Sequence, residues 1–213
     1  DIGCGWGGLA MYMAQKYKVE VVGITPAIEQ ARYIRENAKS LSIKVVEQDY
    51  REFTTRTKFD RVVSVGMAEH IGTKNLPSYF AKAHEVMKDD GIFLLHTIGN
   101  NKSARTNEPW MDKYIFPGAV LPSLAQLAKV IEGTFVIEDL HNFGPDYEKT
   151  LLAWHKNFKK SWPTIKDNYD ERFKRMWEFY LLSCAAGFKS RGVQLYQLVL
   201  TKQGKVPHYE PVR

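Results

Sequence analysis

The sequence contains few cysteines and lacks a long apolar run. Cys4 and Cys184 are its only cysteines among 213 residues, and they stand far apart. Two cysteines are too few for a disulfide framework, and their spacing offers no arrangement of metal ligands, so we expect no metal site and a reducing, cytoplasmic location. No stretch of about 18 apolar residues occurs, and we therefore predict no transmembrane helix.

Acidic residues are fewer than basic ones. The 30 Lys and Arg exceed the 24 Asp and Glu, which gives a net charge of +6 and an isoelectric point near 9.2. Such a chain favours an anionic partner, either nucleic acid or an acidic membrane surface. A basic surface without a specific partner explains the charge equally well, so charge alone assigns no ligand.

Repeats, low-complexity tracts and Pro-rich linkers are absent, so we predict a single domain over residues 1–213. In its first half, segments rich in Val, Ile and Leu predict strands at 18–24, 43–47, 59–65 and 91–97. Helical spacing predicts helices over 6–17, 26–40 and 75–88, the second beginning at Pro26, where a proline costs least. This alternation predicts an α/β fold with a parallel, doubly wound sheet.

The second half of the chain departs from this alternation. We predict helices over 122–132, 146–162 and 168–187, and two last strands near 134–141 and 193–202. The aromatic-rich, mainly helical region from about 100 to 190 suggests a lid over an apolar ligand. Additional core packing is the alternative explanation for the same residues.

A glycine-rich turn opens the chain. Gly3, Gly5 and Gly8 satisfy G-x-G-x-x-G, a pattern that a dinucleotide-binding protein would also show. However, Thr25 stands where a nicotinamide-binding protein would place an acid, and an acid two residues before the first glycine is commoner in methyltransferases. Because the strand that should feed this turn is missing before Asp1, we expect the sequence to be N-terminally truncated.

Several long blocks, in order, carry a resemblance to one family. They include DIGCGWGGLA (1–10), QDYR (48–51), FDRVVSVGMAEHIG (59–72), GIFLLHTIG (91–99), EPWMDKYIFPGAVLPS (108–123), HNFGPDYEKTLLAWHKNF (141–158) and ERFKRMWEFYLLSCAAGFKSRGVQLYQLVL (171–200). The chain resembles the cyclopropane-fatty-acyl-phospholipid synthases and their mycolic-acid relatives. That resemblance implies a Rossmann-like, seven-stranded methyltransferase sheet, here without its first strand, and a lipid-binding helical insertion roughly at 100–190.

The resemblance also implies a cofactor, S-adenosylmethionine (SAM), and the residues that bind it. In this family the turn approaches the methionine moiety, two polar residues replace the usual ribose-binding acid, and an acid–aromatic pair lies beside the adenine. The corresponding residues are Gly3 and Gly5, then Thr25 and Gln30, then Asp49 and Tyr50.

A bicarbonate site is implied in the same way, formed by Glu69, His96 and Tyr147 with the backbone at Ile98. Methylation of an alkene leaves a cation that closes to a ring when a proton is removed, so a small trapped base fits the chemistry. His96 and Tyr147 can donate hydrogen bonds to an anion, whereas an ionised Glu69 can only accept. Each residue also has a structural alternative: Glu69 as a polar residue at a strand end, His96 as a core histidine, and Tyr147 as the start of a helix. Cys184 is a further catalytic candidate, although its apolar surroundings also fit a core thiol.

The expected partner is an unsaturated phospholipid at an anionic membrane surface, with peripheral association at the inner membrane face. A nucleic-acid partner is not expected, because we find no amine-methylating motif such as NPPY. A homodimer is among the assemblies that the sequence leaves open. Two alternatives remain: a related alkene methyltransferase that makes branched or mycolic-type lipids, and an inactive lipid-binding fragment.

Overall fold

The computed structural model describes residues 1–204 and 209–211. The α-helices in this part of the chain are α1 (Gly8–Tyr17), α2 (Ile28–Asn37), α3 (Leu76–Val86), α4 (Pro109–Tyr114), α5 (Leu124–Ile131), α6 (Gly144–Ile165) and α7 (Glu171–Lys189). The strands are β1 (Val21–Thr25), β2 (Ile43–Glu47), β3 (Phe59–Val65), β4 (Met87–Asn100), β5 (Phe135–Asn142) and β6 (Val193–Lys202). Short 3-10 helices lie at Thr73–Asn75 and Lys166–Asn168.

The strands form two ladders. β1 and β2 pair in parallel, while the second ladder has the order β3-β4-β6-β5. β3 and β4 are parallel, but β6 runs antiparallel to both of its neighbours. The parallel arrangement predicted from the first half of the chain is therefore correct for the first four strands. The direction of β6 was not predicted, and this strand returns between β4 and β5 in the opposite direction.

Residues 1–3 connect the two ladders. Ile2 N–H donates to the carbonyl of Val63 in β3 at 2.8 Å, and Ile24 N–H of β1 donates to the carbonyl of Asp1 at 2.9 Å. Ile2 also forms an isolated parallel bridge with Ile24. The opening residues thus occupy the position between β1 and β3, where the first strand of a seven-stranded methyltransferase sheet would lead into the glycine-rich turn.

Some element boundaries differ from the predicted ones for local reasons. Lys18 adopts a left-handed conformation (φ 56°) at the end of α1, so β1 begins only at Val21. α2 begins at Ile28 and not at Pro26, because the Thr25 hydroxyl accepts a hydrogen bond from Ala27 N–H at 3.2 Å and holds a turn there. β4 is longer than the predicted strand and follows α3 directly.

The main core lies between the sheet and α3 with α5. It is rich in aromatic residues: Tyr79, Phe80 and Phe93 are fully buried and contact one another edge-on at centroid distances of 5.5–6.2 Å. Burial of each such ring removes a large apolar area from water, which stabilises the sheet strongly.

A second, smaller core holds α6 and α7 against β6. Its buried members are Leu151 of α6, Leu181, Ala185 and Phe188 of α7, and Leu195 of β6. The region predicted as a helical insertion also contains α5 and β5, whose residues Leu127 and Phe135 belong to the main core. Among residues 1–204 and 209–211, no helix combines the length and hydrophobicity that crossing a bilayer requires.

The stability of the glycine-rich turn gives a first prediction. Gly7 has φ 77°, and a Cβ at this position would lie 2.6 Å from Ile34 Cγ1. We expect Gly7→Ala to lower the free energy of unfolding by about 2–4 kcal/mol, combining a left-handed backbone cost of about 1 kcal/mol with an overpacking cost of about 1–3 kcal/mol. Urea denaturation measures this loss.

Gly133→Ala is the matched control. Gly133 has nearly the same φ, 75°, but a Cβ there would have no atom within 4 Å. We expect only the backbone cost of about 1 kcal/mol for this variant. Equal losses for the two variants would show that the contact with Ile34 has no energetic consequence.

Candidate active site

A cleft of about 340 Å³ lies at the carboxyl ends of β1, β2 and β3. Ligands bind at this edge in doubly wound sheets, because the loops that follow the strands diverge there. The cleft is lined by residues from the glycine-rich turn and from the loops after the three strands: Gly3, Ile24, Pro26, Gln48, Asp49, Tyr50, Arg51, Met67, His70, Ile71 and Asn75. Three of the predicted cofactor residues, Gly3, Asp49 and Tyr50, are among them.

The glycines at the cleft have different roles. Gly3 has φ 81°, and a Cβ there would lie 2.9 Å from Met67 Sδ, so the absence of a side chain lets the loop after β3 pack closely over the turn. Gly5 has φ 54° with open space where its Cβ would be. Both conformations favour glycine, and the open position leaves backbone accessible to a ligand.

Thr25 and Gln30 lie next to the cleft but do not line it. The Thr25 hydroxyl donates to Gln30 Oε1 at 2.7 Å, and Thr25 is buried. The structure thus brings this predicted pair together at the end of β1, beside Ile24 and Pro26 of the cleft wall.

The turn after β3 directs its side chains to two different places. Met67 and His70 line the cleft, and His70 N–H donates to the Met67 carbonyl at 2.9 Å. Ala68 and Glu69, between them, are buried on the inner side, and Ala68 belongs to the main core. One short segment therefore forms a wall of the cleft and also places a carboxyl group behind it.

The carboxyl group of Glu69 is only partly satisfied. Oε1 accepts a hydrogen bond from Ile98 N–H of β4 at 2.7 Å, whereas Oε2 is buried with no hydrogen-bond partner among the described residues. The side chain is 5% exposed. Burial raises the pKa of Glu69 and outweighs the Ile98 N–H and the nearby Thr97 hydroxyl, which both lower it. A buried acceptor without a donor is costly, and it marks a place where a ligand can bind.

Tyr147 lies close to this carboxyl group. It is a half-buried residue in the first turn of α6, and its ring meets Phe188 edge-on at 5.0 Å. Burial raises the pKa of Tyr147, and the nearby Glu69 carboxyl group raises it further. Its hydroxyl therefore stays protonated and can donate a hydrogen bond.

His96 lies two residues before Ile98, on the same face of β4. Its ring approaches Phe143 at 6.3 Å, and the side chain of Gln197 in β6 hydrogen-bonds to it. Burial lowers the pKa of His96, with Gln197 acting in the opposite direction, so the imidazole is neutral near pH 7. Among the described residues, no hydrogen bond or ring contact joins His96 to Glu69 or Tyr147. Glu69 is bonded to Ile98 and close enough to Tyr147 to affect its pKa, whereas His96 lies one strand repeat away from Ile98.

This geometry has counterparts among known proteins. The family model described as mycolic acid cyclopropane synthetase matches residues 1–198. The chain belongs to this family. The resemblance inferred from the sequence blocks is thereby confirmed.

Curated relatives support the family assignment. The chain is 52% identical over 202 residues to the cyclopropane-fatty-acyl-phospholipid synthase of Escherichia coli (strain K12). This match covers 95% of the chain and 52% of the relative. It is 33% identical over 220 residues to a probable fatty acid methyltransferase of Pseudomonas putida, covering 99% of this chain and 56% of the relative. The chain thus spans about half the length of the curated relatives it matches.

Solved structures confirm the fold. The mycolic acid cyclopropane synthase CmaA1, complexed with SAH and CTAB, matches with a TM-score of 0.84 at 26% identity over 95% of this chain and 76% of that one. The cyclopropane synthase MmaA2 from Mycobacterium tuberculosis matches with the same TM-score and identity, over 94% of this chain and 76% of that one. The predicted α/β methyltransferase fold is therefore correct.

The Cys184 thiol packs beside the α6–α7 core, and burial raises its pKa to about 11. A protonated thiol is a poor nucleophile, so its surroundings favour the core-thiol explanation.

Four further residues line the cleft but were not predicted as site residues: Met67, His70, Ile71 and Asn75. The matched block 59–72 includes the first three.

The buried Glu69 gives a second prediction, on the pH dependence of stability. Because its pKa is raised in the folded chain, the folded state holds the proton more readily than the unfolded state, and this group makes stability fall as pH rises above its ordinary value of 4.5. Glu69→Gln removes the effect. We expect the melting temperature of the variant, relative to the parent, to increase as pH rises from 4.5 to about 8.

Thermal unfolding followed by circular dichroism across this pH range tests the prediction. Glu85→Gln is the control, because Glu85 is an exposed residue of α3 that pairs with Lys82. If the parent and Glu69→Gln curves run parallel across the range, Glu69 does not carry the raised pKa in the folded chain.

Proposed function

We propose that the full-length protein transfers a one-carbon unit from SAM to the cis double bond of an unsaturated phospholipid acyl chain, forming a cyclopropane ring. The observation that carries this proposal is the buried Glu69 carboxyl group, with an unpartnered oxygen, behind the wall of a glycine-lined cleft. The printed name of the Escherichia coli relative, at 52% identity, supports the phospholipid substrate.

The residues in and beside the cleft fit SAM. The open position at Gly5 and the turn at Gly3 would approach the methionine moiety, Thr25 and Gln30 the ribose, and Asp49 with Tyr50 the adenine. When bound, SAM supplies an electrophilic methyl group. The chain's own contribution is to hold the donor and the alkene close and aligned, because an isolated alkene is a weak nucleophile and positioning lowers the barrier most.

The residues around Glu69 fit a small oxyacid anion such as bicarbonate. Glu69 Oε2 would accept the O–H of the anion, and Tyr147, with its protonated hydroxyl, would donate to it. The proposed set also includes His96 and the backbone at Ile98. Ile98 N–H donates to Glu69 Oε1 and so holds the carboxyl group in place. Bound there, bicarbonate would supply a base for the proton lost when the ring closes.

Burial at this site also excludes water. The Glu69 carbonyl accepts from Val120 N–H at 2.8 Å, which ties the segment after α4 over the inner side of the turn, and Ala119 and Val120 are both buried. Phe116 of the same segment meets Tyr180 of α7 edge-on at 5.8 Å. A dry site suits a reaction whose cation would otherwise be captured by water.

The experiment that tests the function uses the full-length protein with isotopically labelled SAM and vesicles of unsaturated phospholipid. We expect each modified acyl chain to gain the mass of one CH₂ group, with cyclopropane proton signals in the NMR spectrum of the product. A methyl-branched or methylene product would instead support the related alkene methyltransferase. SAM binding without any lipid product would identify a lipid-binding protein without activity.

Substitutions in the Glu69 cluster give a third prediction. We expect Glu69→Gln to lower the turnover rate at least about tenfold, or about 1.4 kcal/mol in the barrier, because it keeps the size of the side chain and removes its charge. Tyr147→Phe and His96→Gln should lower the rate in the same way. The affinity for S-adenosylhomocysteine (SAH), the demethylated form of SAM, depends on the cleft residues and should change little in all three variants. Turnover assays and calorimetry measure the two quantities.

Glu85→Gln, on the exposed face of α3, should leave the turnover rate unchanged. Added bicarbonate should partly restore the rate of a variant whose anion site is weakened but still formed. If all three site variants fold, bind SAH and turn over at the parent rate, the assigned base site is wrong. Loss of SAH affinity together with a lower melting temperature would indicate a packing role instead.

We also propose that α6 and α7 face an anionic membrane. Together the two helices carry eight Lys or Arg against four Asp or Glu, which is +4 of the chain's +6. The outer face of α7 presents Arg172, Arg175, Phe179 and Leu182 as exposed residues, and Trp110 packs on Phe179 at 4.6 Å. Aromatic and apolar groups beside basic ones are typical of a surface that lies on an anionic bilayer.

Vesicle binding gives a fourth prediction. We expect the full-length protein to bind vesicles that contain anionic phospholipid more tightly than neutral ones, and to lose this preference as salt screens the charges. The double variant Arg172→Gln, Arg175→Gln should weaken binding to anionic vesicles. The control Arg56→Gln, Lys58→Gln removes the same charge from the exposed loop before β3. Co-sedimentation measures binding, and equal effects of the two double variants would contradict the assigned face.

A further inference from the structure

An ion pair within one short loop lies at the wall of the cofactor cleft. The guanidinium of Arg51 donates from Nε to Asp49 Oδ1 at 2.9 Å and from NH2 to Oδ2 at 2.7 Å. The backbone N–H of Arg51 donates to Oδ1 as well, at 2.9 Å. Both residues line the cleft, and the side chains of Arg51 and Asp49 are 57% and 33% exposed, respectively.

This ion pair is not what holds the loop in place. Tyr50, between the two residues, is buried and meets Tyr79 edge-on at 5.7 Å. The backbone turn is closed by hydrogen bonds from Glu52 N–H to the Asp49 carbonyl and from Phe53 N–H to the Tyr50 carbonyl. An exposed ion pair adds little to the free energy of unfolding. A structural role therefore does not explain why Arg51 donates three hydrogen bonds to Asp49.

The three hydrogen bonds determine what Asp49 can still accept. A carboxylate oxygen accepts about two hydrogen bonds, so Oδ1 is fully used and Oδ2 keeps one free acceptor direction. The planar, bidentate guanidinium also fixes the rotation of the carboxyl group. Asp49 therefore offers one charged acceptor at a set place and angle, and it offers no donor.

We propose that Arg51 is a positioning residue, which orients the free acceptor of Asp49 Oδ2 toward the exocyclic amino group of the nucleoside and thereby selects adenosine. This inference rests on the proposed function only in requiring that the SAM nucleoside occupies the cleft. A fixed acceptor increases the affinity for a nucleoside with an amino group at this position and decreases it for one with a carbonyl group. Two acceptors that face each other repel, and both remain without a donor.

Removing the guanidinium should reduce this selection in two ways. Asp49 would have to be ordered when adenosine binds, which weakens the affinity for the correct ligand. Asp49 could also turn away from a carbonyl, which lessens the penalty for the wrong one. A direct contact between Arg51 and the ligand would instead change the affinity for both nucleosides by a similar factor.

The test is calorimetry on the full-length protein with two probes: SAH, and S-inosylhomocysteine, in which a carbonyl replaces the amino group. We expect the parent to prefer SAH by at least about tenfold. Arg51→Gln should reduce that ratio several-fold, and Arg51→Lys, which keeps the charge but not the planar fork, should give an intermediate ratio. Melting temperatures of the variants should stay close to that of the parent.

Arg35→Gln is the matched control. Arg35 pairs with Glu47 at 3.1 Å, with side-chain exposures of 52% and 33%, and it lies outside the cleft lining. Its removal should leave the SAH preference at the parent value. The inference is overturned if Arg51→Gln keeps the parent ratio, if it weakens both probes equally, or if the parent does not discriminate between them. A parent that binds neither probe overturns the proposed function itself.

Discussion

A single hydrogen bond, from Ile98 N–H to Glu69 Oε1, determines how the site is organised. It fixes a carboxyl group that burial destabilises in its charged form, and it joins the turn after β3 to the carboxyl-terminal end of β4. At Ile98, β4 has passed its last pairing with β3 but still pairs with Leu195 of β6, so this contact ties the carboxyl group to the sheet. The sheet thus holds the buried carboxyl group in place although its Oε2 has no hydrogen-bond partner among the described residues.

The turn after β3 also explains why the cleft and the buried carboxyl group lie close together. Met67 and His70 face the cleft, while Glu69 faces the α6 side, where Tyr147 lies. Gly3 is part of the same arrangement, since a side chain there would force Met67 away from the glycine-rich turn.

Most of the fold follows from the sequence because continuous Val, Ile and Leu segments and helical spacing carry strong local signals. The start of α2 could not be predicted in the same way, since the Thr25 hydroxyl and not Pro26 sets it. The direction of β6 depends on which strand edge remains free after β4 and β5 form, which no local pattern encodes. Likewise, His70 and Arg51 became recognisable only once the turns that hold them were placed at the cleft.

The antiparallel β6 also has a consequence for how the domain is completed during synthesis. β6 lies between β4 and β5, although it follows both in the chain, and its residues Leu198 and Leu200 are fully buried in the main core. Until residues 193–202 have left the ribosome, β4 and β5 each present an unpaired edge and the core lacks its central strand. Such edges are prone to pair with other chains. The domain therefore depends on a late, long-range pairing step, during which the nascent chain is most exposed to aggregation.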